Sequence, residues 1–287
     1  MNYLVKRALA GAIVCFAAIA ALSKSHSSAS GVAQEVLEAD HALTRILGLG
    51  DKASLQDHHT LDKLLDEDFT WIDSNGKNLI KLEVLKNFPA LVNPDVELQE
   101  HTYGRSAVVR ANRGRVQVMR IWAKRASGWR AMLYQEVTLA VKSDPPVADG
   151  AGISDCENPC KDIPFRPKTQ SEKEVIASWQ RVMRTMAHKH ADVYAPLITE
   201  EFTATDTHHD RVYSKADRVA QINKQKKSGV QSVPPPLGSA RMFDFGETVM
   251  MVAREQRPKA KVYFNTRMWV RRDGRWQMLF SFNTRIE

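Results

Sequence analysis

Histidines and acids crowd one point of this 287-residue chain, Asp206-Thr207-His208-His209-Asp210, and imidazole and carboxylate are metal ligands. Residues adjacent on one turn do not by themselves close around an ion, so no metal site is assigned there. His58-His59 fall on a helical stretch where neighbours point apart, and His188 with His190 straddle a helix end with the same consequence. Arg120 with Trp122, and Arg267 with Trp269, stand two apart in apolar runs, so in strands each pair shares a face. An arginine beside a flat ring can hold an anionic group and pack an apolar one. Nucleophile elbows, phosphate-binding glycine loops and zinc-protease motifs are absent from the sequence. No cofactor is implied.

These groups are positioned by a chain with clear segments. Lys6 and Arg7 precede an apolar run from Ala8 to Leu22, and a small polar stretch follows to Gly31, the order of a secretory signal peptide over residues 1–30. The apolar run is shorter than the roughly 20 residues of a membrane-spanning helix. Cleavage after Ser23 or Ser30 fits, and Ala12-Ile13-Val14 before Cys15 lacks the small residue that a lipid-attached cysteine needs. A periplasmic or secreted protein, with no stable membrane span after cleavage, is therefore expected. Removing Lys6, Arg7 and Lys24 from the 41 basic residues leaves 38 against 33 acidic ones. That excess is mild and scattered, with its densest group at Lys224, Lys226 and Lys227 at a helix end. Nucleic acid is not an expected partner. The leader also takes Cys15, leaving Cys156 and Cys160, an even pair that in an oxidising compartment is expected to form a disulfide. Their spacing and the lack of a nearby histidine argue against zinc or haem.

Prolines 145, 146, 159, 164 and 167, with Gly150 and Gly152, mark residues 143–170 as a linker. It separates residues 31–142 from residues 171–287, and these two parts repeat each other. Leu64-Leu65-Asp66-Glu67-Asp68-Phe69-Thr70-Trp71-Ile72-Asp73 matches Leu197-Ile198-Thr199-Glu200-Glu201-Phe202-Thr203-Ala204-Thr205-Asp206. Tyr103-Gly104 with Ala107-Val108-Val109 matches Phe245-Gly246 with Val249-Met250-Met251, and Arg120 to Trp129 matches Arg267 to Trp276. The histidine-rich turn is not repeated, since the first copy carries Ser74, Asn75 and Gly76 there.

Val36, Leu43 and Leu47 recur at helical spacing over 32–47. Ser54 with Asp57 forms a capping box for a second helix, and Leu82, Leu85 and Phe88 mark a third. Strands are expected at 69–73, 96–103, 107–112, 115–125 and 129–141. The second copy starts with a capping box at Ser171 and Glu174, and Val175, Trp179, Val182 and Met186 line its first helix. Helices followed by a run of strands make an α+β class.

The pattern Asp68-Phe69-Thr70-Trp71-Ile72-Asp73-Ser74-Asn75-Gly76-Lys77, then Gly104 with Ala107-Val108-Val109, then Arg120-Ile121-Trp122-Ala123-Lys124 with Gly128-Trp129-Arg130, resembles the NTF2-like superfamily, and within it the SnoaL-like, DUF4440-type branch. The resemblance covers about 35–141 closely and about 171–287 more loosely. It implies two cone-shaped domains, each a curved antiparallel sheet wrapped over about three helices. In the isomerase-like members a catalytic carboxylate sits where Asp73 and Asp206 fall. At the mouth of an apolar cone such an acid would have its pKa raised and could act as a base. Those isomerases also use a first-helix tyrosine and a second acid, and Leu43, Arg120 and Arg267 stand nearest here, so steroid isomerisation is not expected. The resemblance turns Arg120, Trp122 and Gln135, and likewise Arg267, Trp269 and Phe282, into the cones, with Trp71 or Phe282 able to fill them.

Two readings follow. In one, these residues line a pocket for a small, partly apolar or anionic ligand, in a non-catalytic exported protein or association module whose halves, or two copies of the chain, pair through their sheets. In the other reading, Asp73 or Asp206 performs acid–base catalysis of the isomerase, dehydratase or cyclase type. Buried Asp73–Arg120 and Asp206–Arg267 pairs would make the same residues scaffold.

Overall fold

The computed structural model describes residues 31–89, 91, 93–143, 156–229, 234–256 and 261–286. The expected leader and most of the expected linker's first half lie outside the described residues. No helix among the described residues is long and apolar enough to cross a membrane.

The first unit opens with helix α1 (31–49), whose Val36, Leu43 and Leu47 are buried as their spacing predicts, with Ile46 buried beside them. Ser54 caps α2 (Leu55–Leu64) in a reciprocal box with Asp57, as expected. Strands β1 (Leu65–Ile72) and β2 (Asn78–Ile80), helix α3 (Lys81–Lys86), and strands β3 (Val96–Tyr103), β4 (Ser106–Arg113), β5 (Val116–Arg125) and β6 (Gly128–Thr138) complete it. The second unit repeats the order with α4 (Gln170–Ala187), α5 (Ala191–Tyr194), β7 (Ile198–Asp206), β8 (Tyr213–Ser214), α6 (Lys215–Lys227), β9 (Leu237–Asp244), β10 (Thr248–Gln256), β11 (Val262–Arg272) and β12 (Arg275–Arg285). The cap of α4 is not the expected Ser171 and Glu174. Thr169 accepts the Glu172 amide, and the buried Glu172 carboxylate takes the Thr169 amide in return, so the helix starts earlier. Glu174 is thereby left to meet Arg271 at 3.0 Å and the Trp276 indole at 2.8 Å.

The two sheets have one topology, β2-β1-β6-β5-β4-β3 and β8-β7-β12-β11-β10-β9. Identical strand order in both halves is the structural counterpart of the sequence repeat, and it bears out the α+β class with two units. Each sheet departs from the expected all-antiparallel form at one pair, since β1 runs parallel to β6 and β7 to β12. A bulge interrupts β5–β6 between Ile121 and Trp122, leaving Met132 unmatched, and the same bulge at Met268 and Trp269 leaves Leu279 unmatched. One extra residue advances the inside–outside alternation of β6 and β12 by one.

Three apolar clusters result. One lies between helices and sheet in each unit, and Ile163 of the linker joins that of the second unit. The third lies between the two sheets and unites Ile72, Met119, Ile121 and Leu133 with Met250, Met268, Phe280 and Phe282. Ser106 and Thr248 hold matching positions in the two repeats, and their hydroxyls meet at 2.6 Å with both residues fully buried. Contact between matching positions is what an approximate twofold axis produces. Around that axis the Gln135 amide donates to the Thr284 hydroxyl at 2.9 Å and accepts from Thr266 at 2.6 Å.

The turn after β1 is closed by Gly76 at φ +78°, where a Cβ would fall 2.8 Å from Ile286 of the other unit. The matching turn after β7 is tied to the end of the first unit, Ala140 N to His209 O at 2.9 Å and Ser143 Oγ to Asp210 Oδ1 at 2.8 Å. Each unit thus braces the other's β1- or β7-side turn.

Candidate functional site

Among the expected interior residues Arg120 is fully enclosed, and its partner is not Asp73. Asp40 of α1 grips the guanidinium with both oxygens, Nε to Oδ1 at 2.6 Å and Nη2 to Oδ2 at 2.8 Å, and the Trp122 indole donates to the same Oδ1 at 3.1 Å. Asp95 takes the remaining Nη1 at 2.6 Å and reaches Arg113 at 2.6 Å, and Arg113 reaches Glu136 at 2.8 Å. Arg120 and Asp40 are 0% exposed, and these opposed charges hold the Arg120 guanidinium above its ordinary pKa against the cost of burial. Asp73 instead accepts the amides of Asn75 and Lys77, so it closes its own turn. The expected Asp73–Arg120 pair is corrected on both sides: local backbone donors claim the aspartate, and α1 claims the arginine.

Gln135 and Phe282 are also corrected. The bulges turn both onto the face between the sheets, where Gln135 bonds across the axis and Phe282 joins the inter-sheet cluster. Their places inside are taken by Tyr134 and Ser281. Tyr134 stacks on Trp71, ring centroids 3.6 Å apart and planes 1° from parallel. Burial and the neighbouring Glu136 push its hydroxyl well above the ordinary tyrosine range. The Trp71–Tyr134 stack and the ion network occupy the middle of the first unit.

The second unit keeps the frame and loses the filling. Its strand register pairs Ala204 with Ser281, as Trp71 pairs with Tyr134 in the first. Two large rings are replaced by a methyl and a hydroxymethyl. In α4, Trp179 stands five residues beyond Glu174 as Asp40 stands five beyond Glu35, and Glu174 and Glu35 meet the matching cations Arg271 and Lys124. Arg267 therefore has no helix carboxylate. It lies 5.4 Å above the Trp179 ring and gives Nη2 to Glu255 at 2.7 Å, and that glutamate stands where the first unit has Arg113. Trp269 is buried against the same core.

A cavity of about 790 Å³ occupies this space, with Ala204, Ser281, Arg267 and Glu255 among its lining residues. That volume is within the range of small-molecule sites. Its wall carries three buried polar atoms with no hydrogen-bond partner among the described residues, Arg267 Nη1, Asn265 Oδ1 and Asn283 Oδ1. All three residues line the cavity, with Arg267 5% and Asn265 2% exposed. Arg218, Gln221, Lys224 and Gln225 line it from α6 at helical spacing.

Asp206 also lines the cavity, beside His209 at 2.8 Å from Oδ2 to Nδ1 and accepting the His208 amide at 2.9 Å. Burial works to raise the Asp206 pKa, but His209, the His208 amide and Arg218 outweigh it and hold the carboxyl below the ordinary range. The raised pKa expected of a base at a cone mouth is therefore reversed here. Asp206 and Arg267 line one cavity without pairing.

The histidine turn gathers no set of ligands, and no group able to hold a metal ion occurs among the described residues. His208 Nε2 meets the Tyr263 hydroxyl at 2.7 Å, and His188 and His190 lie ring to ring at 5.7 Å. Cys156 and Cys160 are not bridged in the structure, contrary to the expected disulfide. Between them, Asn158 fastens the linker to β9 through both amide atoms on the Leu237 backbone, so hydrogen bonds rather than sulfur hold this loop.

Sequence reasoning missed Asp40, Asp95, Glu255, Asn265 and Asn283. The aligned repeats already set Trp71 against Ala204, the one sequence signal that an interior had been emptied.

No family model matches the chain, and no curated protein matches it. Solved structures that it is similar to include a protein of unknown function from the DUF3225 family of Pectobacterium atrosepticum. It shares 13% identity over 40% of this chain and 90% of that one, at a TM-score of 0.35. An NTF2-like protein of unknown function from Pseudomonas putida shares 15% identity over 40% and 85%, at 0.33. An NTF2-like protein with a cystatin-like fold from Novosphingobium aromaticivorans shares 16% over 40% and 81%, at 0.33. Each match spans about one unit's length, and at these scores none bears on what the cavity holds.

Proposed function

We propose that this is an exported binding protein in which the second unit holds a small, partly apolar ligand while the first unit serves as its rigid partner. The carrying observation is the exchange of the stacked Trp71 and Tyr134 for Ala204 and Ser281 beside an arginine whose Nη1 has no partner among the described residues. The apolar side of the ligand would meet Tyr194, Phe202 and Met278, all of which line the cavity. The leader at residues 1–30 supports export, and the inter-sheet core supports a covalent pseudo-dimer that works as one body.

The test refills the cavity with the first unit's own residues, Ala204→Trp with Ser281→Tyr, and titrates the mature protein with 8-anilinonaphthalene-1-sulfonate, an apolar anion whose fluorescence rises on binding. Wild type is expected to bind with a micromolar Kd and the refilled variant at least tenfold more weakly. Equal binding by both proteins refutes the proposal.

A second reading, acid–base catalysis, is favoured by the enclosed Asp206 with His209. It is weakened by the lowered Asp206 pKa, since a weakly basic carboxylate draws protons poorly. Asp206→Asn abolishes turnover under that reading and leaves ligand affinity nearly unchanged under the first.

A further inference from the structure

The cavity's charges are sorted by depth. At the floor, Arg267 is already neutralised by Glu255, and the Asn265 and Asn283 amide oxygens have no partner among the described residues. The Asn283 amide nitrogen meets Ser281 Oγ at 3.3 Å and Thr205 O at 3.5 Å, while its oxygen has no partner among the described residues. A carboxylate or phosphate placed here would face two acceptors and an arginine whose charge is spent. An ammonium would find no unpaired acid, since Glu255 is taken by Arg267 and Asp206 by His209. A group with O–H donors for the two amide oxygens and an acceptor for Arg267 Nη1 satisfies all three atoms. Adjacent hydroxyls on a carbon chain or ring do this without net charge.

The α6 side is different. Arg218 and Lys224, three and nine residues into α6, line the cavity, and among the described residues Arg218 hydrogen-bonds to the neutral Gln221 and Met186 sulfur while acting on Asp206 through space. Arg211 beside them is consumed by Asp217 through both guanidinium nitrogens. Lys224 is exposed and Arg218 half-buried, so an acid held by them stays partly hydrated.

Resting on the binding function proposed above, we infer that the ligand is a small polyhydroxylated acid, its hydroxyls seated on Asn265, Asn283 and Arg267 and its acidic group against Arg218 and Lys224. The aromatic walls at Tyr194, Phe202 and Tyr263 suit the C–H faces of such a carbon skeleton.

Three probes separate the parts by calorimetry on the mature protein: glucose 6-phosphate carries both features, glucose lacks the acid, and hexyl phosphate lacks the hydroxyls. Glucose 6-phosphate is expected to bind at least about tenfold more tightly than either of the others. Arg218→Gln with Lys224→Gln, a change at the solvent edge, should erase its advantage over glucose. Asn265→Val should reduce it to the level of hexyl phosphate, and Val118 at the matching place in the first unit shows that the frame accepts valine. Hexyl phosphate binding as tightly as glucose 6-phosphate overturns the hydroxylated head while leaving the cavity function intact. Loss of phosphate binding in Arg267→Met but not in the α6 variant overturns the orientation. Failure of all three probes to bind at 10 mM, with the fluorescent anion still bound and still excluded by the refilled variant, overturns the ligand class alone.

Discussion

Asp40→Leu tests the network that fills the first unit. The substitution keeps about the same volume and removes every polar atom. Three donors then lose their acceptor in a place with no water: Arg120 Nε at 2.6 Å, Arg120 Nη2 at 2.8 Å and the Trp122 indole at 3.1 Å. A buried donor left bare costs about 1–3 kcal/mol, so the sum falls at roughly 5 kcal/mol. The Coulombic share is buffered, because Asp95 remains on Arg120 at 2.6 Å, and this keeps the total within the 3–5 kcal/mol typical of a broken buried pair. Asp40→Asn retains one acceptor oxygen and should lose about 2 kcal/mol. Urea unfolding of the mature protein, followed by tryptophan fluorescence, reads both. With a slope of about 2–3 kcal/mol/M, the leucine variant's midpoint should fall by about 2 M and the asparagine variant's by under 1 M. Asp68→Asn, which breaks the exposed contact with Arg241, is the control and should shift the midpoint by no more than about 0.3 M. A loss below 1 kcal/mol in Asp40→Leu, or equal losses in the leucine variant and the control, would refute the view that this network holds the first unit together.

Two further outcomes are expected. Ser106→Ala should cost about 1 kcal/mol in urea by leaving the Thr248 hydroxyl bare, and Thr248→Ala somewhat less, since Ser106 Oγ keeps the Tyr103 carbonyl at 3.2 Å. The double variant should cost less than the sum, and strict additivity would mean that the two hydroxyls do not share a bond. Acid should weaken the protein partly through Asp206: because its folded pKa lies below the unfolded value near 3.8, its contribution is complete above that value and drains away as pH falls through the folded pKa. Urea midpoints from pH 5 to pH 2.5 should therefore fall less steeply in Asp206→Asn than in wild type, and parallel curves would show that the His209 and Arg218 contacts do not stabilise the ionised carboxylate.

Linker and duplication were legible along the chain, as was the expectation of a leader, because each is written in local composition or in the order of matched blocks. Helix α1 and the box at Ser54 followed from periodicity and capping, both of which act over a few residues. The inward turn of Arg120, Trp122, Arg267 and Trp269 also followed, since the unmatched residues fall in β6 and β12 and leave the alternation of β5 and β11 unbroken. Gln135 and Phe282 were misplaced for one reason: a single unmatched residue in each last strand reverses the alternation beyond it, and a bulge leaves no mark in residue type here.

What the sequence by itself determined is the frame, two copies of one α+β unit with an arginine and a tryptophan built into each interior. Tertiary structure alone decided which acid meets each arginine. Asp40 lies 80 residues from Arg120, and the choice depends on how α1 lies across the sheet. It also decided that one copy is filled and the other hollow, because a cavity is the volume left when side chains distant in sequence fail to meet, and no single stretch of chain contains that difference.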